Sequence, residues 1–528
     1  MKARMPLSFL ALTTLVACGG PMLQGQEARP PVSQGDRAAT AAATAPARAA
    51  ATITPEDMQR RIAYLASDEL KGRDTPSPGL DAAADYIAKE FARLGLRPAG
   101  DDGSYIQRYA LQRRALAADQ VRFSIGGTAG ARTLVAGKDY AAMPGVPARV
   151  SGAPVVAVRS LDPNAEALRG RIAVTYLAGA ATSRDFFRAL QGVRAAGEAA
   201  GVAATIVVLD PAVSEQDVAR LLELNTETGP LALGELTSPP VFLVRHAAAK
   251  AVFAQAGHDL DAVRAATAPT ELHGLTVELS APVRIDRDDR APNVVAVLPG
   301  SDPALRDEYV VFSAHMDHVG VRNMNASGDS IFNGADDNAS GTSALLEVAE
   351  AFASMETPPA RSLVFLAVSG EEKGLLGSRY YSDHPTVPIE KIVANINVDM
   401  IGRNAPDSIV VIGQEYSSLG PLVREVAAAN PDLGLTVAPD LWPQERFFFR
   451  SDHFNFARKD IPALFFFAGV HEDYHQPSDE ADKIDADKAA RVARLIFLTA
   501  YEIASRPQAP TWTEEGLREV RALTAGGR

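Results

Sequence analysis

The sequence predicts an α/β fold, a mixed-sheet sandwich interrupted by a smaller α/β unit, and three observations carry that prediction. After Asn293, short apolar runs alternate with helical periods, as they do when helices cover a largely buried sheet. Over residues 133–273 the texture shifts to short β-branched runs around one Ala-rich helix, with only three histidines, His246, His258 and His273. Four of the later strand-like runs are followed directly by His or carboxylate residues. That placement is expected where the C-terminal ends of α/β strands build a site.

The elements come in chain order. Lys2 and Arg4 precede an apolar run over residues 7–17 that is too short to span a bilayer as a mature helix. It ends in Leu15-Val16-Ala17-Cys18-Gly19, which resembles a bacterial lipobox. The resemblance implies cleavage before Cys18, a lipid anchor on Cys18, and residence in the cell envelope. Gly19 is not the acidic residue of an inner-membrane retention signal, which points to the outer membrane. Cys18 is the only cysteine, so no intrachain disulfide is expected.

Residues 18–52, rich in Ala, Pro, Gln and Gly, read as a tether. Order is expected to begin at Thr54-Pro55-Glu56-Asp57, a helix start. Residues 80–94 carry apolar positions at helical spacing, and Gly95 ends them. The main domain is expected over 53–132 and 274–508, the inserted unit over 133–273, and a C-terminal tail over 509–528. Within the main domain, 293–297, 309–312, 362–368, 392–398, 408–412 and 463–467 read as strands, and 342–352 and 486–505 as helices. The 528-residue chain has a net charge of −13, which argues against nucleic acid as a partner, because a phosphate backbone demands a basic face.

The chemistry lies in the residues just past the strands. One strand leads to His315 and Asp317, a second to Glu371 and Glu372, a third to Asp399, and a fourth to Tyr474 and His475. Asp336-Asp337 precedes a helix. Imidazole and carboxylate without thiolate suit zinc. The set is too large for one catalytic zinc, whereas two ions sharing a carboxylate use it fully.

His315-Met316-Asp317, 334–341 (GADDNASG), 370–374 (GEEKG), 397–400 (NVDM) and 474–477 (YHQP) together resemble the aminopeptidase Y family of dizinc exopeptidases. Its superfamily also holds the glutamate carboxypeptidases and the transferrin receptor. The resemblance implies a zinc-peptidase sandwich with an inserted protease-associated domain, and two zinc ions per chain. It implies that His315 and Asp399 bind one zinc, Glu372 and His475 the other, and that Asp337 bridges them. Asp337 is preferred to Asp336 because Ser340-Gly341 stands at the family's spacing only from Asp337. The match further implies Glu371 as general base, Asp317 as the residue orienting the His315 ring, and Tyr474 as a donor to the oxyanion. His318, Asp336 and His453 are expected to be structural.

The expected reaction is hydrolysis of peptides at a free N-terminus by metal-activated water. A carboxypeptidase using Arg446 or Arg450 is the competing enzyme reading, and a non-catalytic binding protein on the same scaffold is the other. The string His471-Glu472-Asp473-Tyr474-His475 spells H-E-x-x-H, but that motif works only on a helix, and Gly469 and Pro477 argue against one here. Phe447, Phe448 and Phe449 read as a strand segment that either lines the substrate pocket or packs in the core.

Overall fold

The computed structural model describes residues 44–525 apart from 128–129, 144, 147, 163–165, 178–182, 212, 214–230, 234–237, 266–267 and 323–327. The leader, Cys18 and most of the expected tether lie outside the described residues. The central sheet has ten strands. Eight matter here: β1 (Ile106–Leu116), β2 (Val283–Leu298), β3 (Tyr309–His315), β4 (Ser362–Val368), β5 (Ile392–Val398), β6 (Ser408–Ile412), β7 (Thr436–Ala438) and β8 (Ala463–Phe467). Their order across the sheet is β1-β2-β4-β3-β5-β8-β6-β7. The central four, β4, β3, β5 and β8, run parallel. Their C-terminal ends therefore open on one edge of the sheet.

These strands read as continuous apolar runs because both faces are covered. Alternate residues divide between two cores, as the two-residue period of a strand requires. Val310, Phe312 and Ala314 of β3 and Leu363, Phe365 and Ala367 of β4 join the core beneath the helices Pro55–Leu65, Pro78–Arg93, Gly341–Ala353 and Ala486–Ser505. Val311, Val364 and Leu366 face the other way, against Tyr381 and Phe456. Burying such a side chain contributes roughly 1.5–3 kcal/mol, so each strand is held in register from both sides. The helix starts are conventional: the Thr54 and Ser77 side chains accept from Asp57 N and Leu80 N, with Pro55 and Pro78 next in line.

The inserted unit differs from expectation in its bounds. Its four-stranded sheet takes Arg122–Gly127 and Thr276–Ala281, both outside 133–273, beside Gly130–Thr133 and Ala148–Ser151. A six-stranded sheet including Ile172–Leu177, Ala204–Leu209 and Val241–Val244 packs on it through Phe123, Tyr140 and Phe242. The connection is a long ribbon: β1 and β2 pair antiparallel from Ile106–Val294 out to Leu116–Val283. Strand character is thus continuous across the junction, and a change of texture cannot mark it.

Two terminal segments also depart from expectation. Residues 45–50, within the expected tether, form a helix with Thr44 as its cap and with Ala49 and Ala50 buried. An Ala-rich stretch resembles a linker in composition, yet alanine has the best intrinsic helix propensity. The C-terminal stretch is not a free tail: Glu514–Ala525 is a helix, Val520 is buried against the Phe448 cluster, and the Trp512 ring donates to Asp460 O at 2.7 Å.

Candidate metal centre

Each candidate residue leaves the sheet at the same edge. His315 is the last residue of β3. β4 ends at Val368 and turns through Gly370 into Glu371 and Glu372. Gly370 has φ +71, and a Cβ there would sit 2.8 Å from the Tyr109 hydroxyl, so only glycine makes this turn. Asp399 follows β5 directly. His475 lies in the loop after β8 with φ +55. Asp337 stands in the irregular turn Ala335–Ser340 that feeds the helix Gly341–Ala353.

The side chains converge as two groups that share one residue. His315 Nε2 is 3.3 Å from Asp337 Oδ1 and 3.2 Å from Asp399 Oδ1. His475 Nε2 is 3.0 Å from Asp337 Oδ2 and 3.1 Å from Glu372 Oε2. Asp337 therefore turns one oxygen to each group. Donors around a tetrahedral zinc at ~2.0–2.2 Å lie about 3.3–3.6 Å from one another, close to these separations. Asp399 Oδ1, Glu372 Oε1 and His475 Nε2 are buried and lack hydrogen-bond partners. Such orphaned atoms are costly unless something satisfies them, and a divalent cation in each group does so. Imidazole and carboxylate donors fit zinc.

The field at the site is strongly negative. Burial opposes a charge on His475, but contact with Asp337 and Glu372 outweighs it and pushes the imidazole up to about 10. Burial, reinforced by Glu372, Asp452 and Asp399 and opposed by His315, holds the Glu371 carboxyl well above its usual range. The Tyr474 phenol is raised by burial and then by Asp337, Glu372, Glu371 and Asp399, so it stays protonated and able to donate. Cations beside these carboxylates favour their ionised forms.

A buried polar layer fixes the donors. Ser451 Oγ donates to Asp399 Oδ2 at 2.9 Å and accepts from Asn397 Nδ2 at 2.8 Å. Asn397 in turn accepts from Ser313 Oγ at 2.7 Å. Asp479 accepts from the Asp336 and Asp337 amides, each at 3.1 Å, and so sets the turn carrying Asp337. Thr342 Oγ1 donates to His315 O at 2.8 Å. Of this layer only Asn397 falls in a motif, 397–400; Ser313, Thr342, Ser451 and Asp479 lie outside every motif and come into view only in the fold.

The expected role of Asp317 changes in its atoms. His315 Nδ1 is 3.1 Å from the Asp317 main-chain carbonyl and 3.7 Å from its carboxylate. The ring is thus oriented by the carbonyl. The carboxylate instead accepts from Thr75 Oγ1 and Gly370 N, both at 2.8 Å, and from Glu371 N at 3.3 Å. It fastens the turn that presents the two glutamates. Asp336 turns away from the centre to His471 Nε2 at 3.3 Å and Gly402 N at 2.7 Å. His453 packs between Phe448 and Phe465. His318 departs from the packing role expected of it: its Nδ1 is 2.9 Å from Glu372 Oε1 and 3.6 Å from Asp337 Oδ2. Residues 472–475 form a turn, and no part of 471–475 is helix.

A pocket opens onto Asp337, Glu371, Asp399 and Tyr474, with Met400, Phe447, Phe465, Phe467 and Val470 as its apolar wall. The phenylalanine run is one 3₁₀ turn, Phe447–Phe449, not a strand. Arg446 enters it at φ +54. With a threefold rather than twofold repeat the three rings diverge: Phe447 lines the pocket, Phe448 packs on Tyr416 and His453, and Phe449 meets Phe454.

Comparison with known proteins finds zinc peptidases. Residues 293–500 match the sequence model of peptidase family M28. A probable zinc metalloprotease of Pyricularia oryzae is 28% identical over 287 residues, covering 46% of this chain and 54% of that protein. A probable leucine aminopeptidase of Arthroderma otae is 27% identical over 229 residues, covering 42% of this chain and 60% of that protein. The chain thus spans little more than half the length of these relatives. A zinc aminopeptidase structure from Bacillus subtilis aligns with 87% of this chain and 97% of its own at 18% identity and a TM-score of 0.45.

Proposed function

We propose, from the match of residues 293–500 to peptidase family M28 and from the site geometry, that the protein is a dizinc aminopeptidase that removes residues from the free N-terminus of peptides. The observation that carries the reading is Asp337, which offers one oxygen to each of two donor groups at the floor of a pocket. His315, Asp337 and Asp399 would hold one zinc, and Asp337, Glu372 and His475 the other. When bound, the ions supply electrophilic polarisation of the scissile carbonyl and make water a competent nucleophile at neutral pH.

The chain's own groups do the rest. Glu371 takes a proton from the attacking water and returns it to the leaving amine. Tyr474, kept protonated, donates to the oxyanion as charge develops there. With both ions bound the carboxylates of Asp337, Glu371, Glu372 and Asp399 are neutralised, so a free α-amine would be held at the metal centre itself, which would confine cleavage to chain ends. Assay of matched peptides with free and with blocked termini tests the reading. Cleavage that requires a free N-terminus supports it. Arg450 lines the same pocket beside Phe447, so cleavage that requires a free C-terminus, and is lost in Arg450→Ala, would establish the carboxypeptidase reading instead.

The apolar wall sets the preferred residue. Phe447→Ala is expected to lower the ratio of leucyl to lysyl kcat/KM by ~5–150-fold, the equivalent of ~1–3 kcal/mol for a well-filled apolar side chain. An unchanged ratio would place the specificity pocket elsewhere. The envelope location also belongs to this reading and rests on the segment around Cys18. Cys18→Ser is expected to move the protein from membrane to soluble fractions, and an unmodified Cys18 in the mature membrane-bound protein, seen by mass spectrometry, would end that part of it.

A further inference from the structure

We infer that His318 is a third imidazole ligand of the centre, binding the ion held by Glu372 and His475, so that this position has four protein donors and the other has three. The inference rests on the two-metal reading and goes beyond its five ligands. One donor atom from each of His318, Asp337, Glu372 and His475 falls within 4.8 Å of the others, whereas the second group contains only His315, Asp337 and Asp399.

The contact between His318 and Glu372 is not an ordinary ion pair. Nδ1 and Oε1 are 2.9 Å apart, yet both are buried atoms without a hydrogen-bond partner. The pair does not stand alone: Nδ1 also lies 3.6 Å from Asp337 Oδ2, and a donor atom of His475 falls within the same 4.8 Å group, so four donors share one space. His475 Nε2 stands in the same relation to Asp337 and Glu372. The His318 and His475 rings meet edge-on, with centroids 5.5 Å apart at 70°, so their nitrogens converge without stacking.

The chain is built to hold this ring in place. His318 is fully buried. Gly334 lies against it with φ +59, and a Cβ there would be 2.5 Å from the imidazole Cγ. The buried Arg73 side chain donates to Leu65 O, to Met316 O and Asn333 O at 2.8 Å, and to Gly334 O at 3.0 Å. It ties the His318 segment to the Gly334 segment, while the Arg73 carbonyl accepts from His318 N at 3.3 Å. His453 and His471 also carry two buried ring nitrogens without partners, but of the three only His318 has a ring nitrogen grouped with an imidazole and two carboxylates.

The consequence is an asymmetric centre. The position with three imidazole or carboxylate donors besides the bridge retains its ion, and the His315–Asp399 position exchanges first. The test is a crystal structure of the zinc-loaded wild-type protein with anomalous scattering at the zinc edge, together with metal affinities of wild type, His318→Ala and His318→Asp by competition with a chelator. The expected result places His318 Nδ1 at about 2.0–2.1 Å from an ion. In His318→Ala one of the two affinities falls beyond the ~10–100-fold typical of losing an outer-shell partner, and His318→Asp restores part of it because its oxygen takes the place of Nδ1. Two ions bound with Nδ1 beyond about 3 Å of both would overturn the inference, well outside the bonding range for a zinc ligand. A wild-type protein that takes only one ion contradicts the two-metal reading instead, and the inference is then decided by whether that ion touches Nδ1.

Discussion

Replacing Glu371 with Gln is expected to lower turnover by ~10²–10⁴-fold while both ions remain bound. Glu371 lines the pocket beside Asp337 and Asp399 and does not belong to either donor group. Its neighbour does: Glu372 places one oxygen 3.1 Å from His475 and the other 2.9 Å from His318. Glu372→Gln should therefore release one ion and lose activity as a consequence. Steady-state kinetics with metal analysis on the same samples separates the two. A Glu371→Gln enzyme depleted of metal, paired with a metal-replete Glu372→Gln enzyme of low turnover, would show that base and ligand are exchanged.

Asp337→Ala is expected to disturb both ions together, with activity lost entirely. Each of its oxygens faces a different imidazole, His315 at 3.3 Å and His475 at 3.0 Å. Asp336 is adjacent in sequence but engaged by His471 and the Gly402 amide, so it cannot take over the bridge. Asp336→Ala should leave at least one ion in place and act on stability through its unpaired neighbours. Metal content of the two variants checks this directly. An Asp337→Ala protein that keeps both ions would rule out the bridge.

Much of this arrangement is legible in the sequence. β4, β5, β6 and β8 have the spans their apolar runs predict, because a strand covered on both faces is mostly apolar, and the buried Asn395 and Asn397 of β5 are hydrogen-bonded. The four strand ends reach one edge because parallel neighbours in a sheet share their direction. Sequence does not show which atom acts. The carbonyl of Asp317, not its carboxylate, meets His315 Nδ1, and nothing in the residue type distinguishes them. Ser451 and Asp479 act through tertiary contacts more than fifty residues from their partners in sequence, beyond any local pattern. His318 reads as packing because a lone histidine after a strand usually is; its place at the centre depends on Gly334 and Arg73 bringing two distant turns against it. The Phe447–Phe449 turn reads as a strand for a local reason, since three aromatic residues have strand propensity that the left-handed Arg446 overrides.

Metal counting during stepwise removal tests the two-zinc centre most directly. The wild-type protein is loaded with zinc, the ions are withdrawn by graded chelator, and zinc per chain is measured beside peptide cleavage at each step. About two ions per folded chain are expected at full activity, with a loss of activity that tracks departure of the first ion. Full activity retained with one ion per chain, or with none, would contradict a co-catalytic pair.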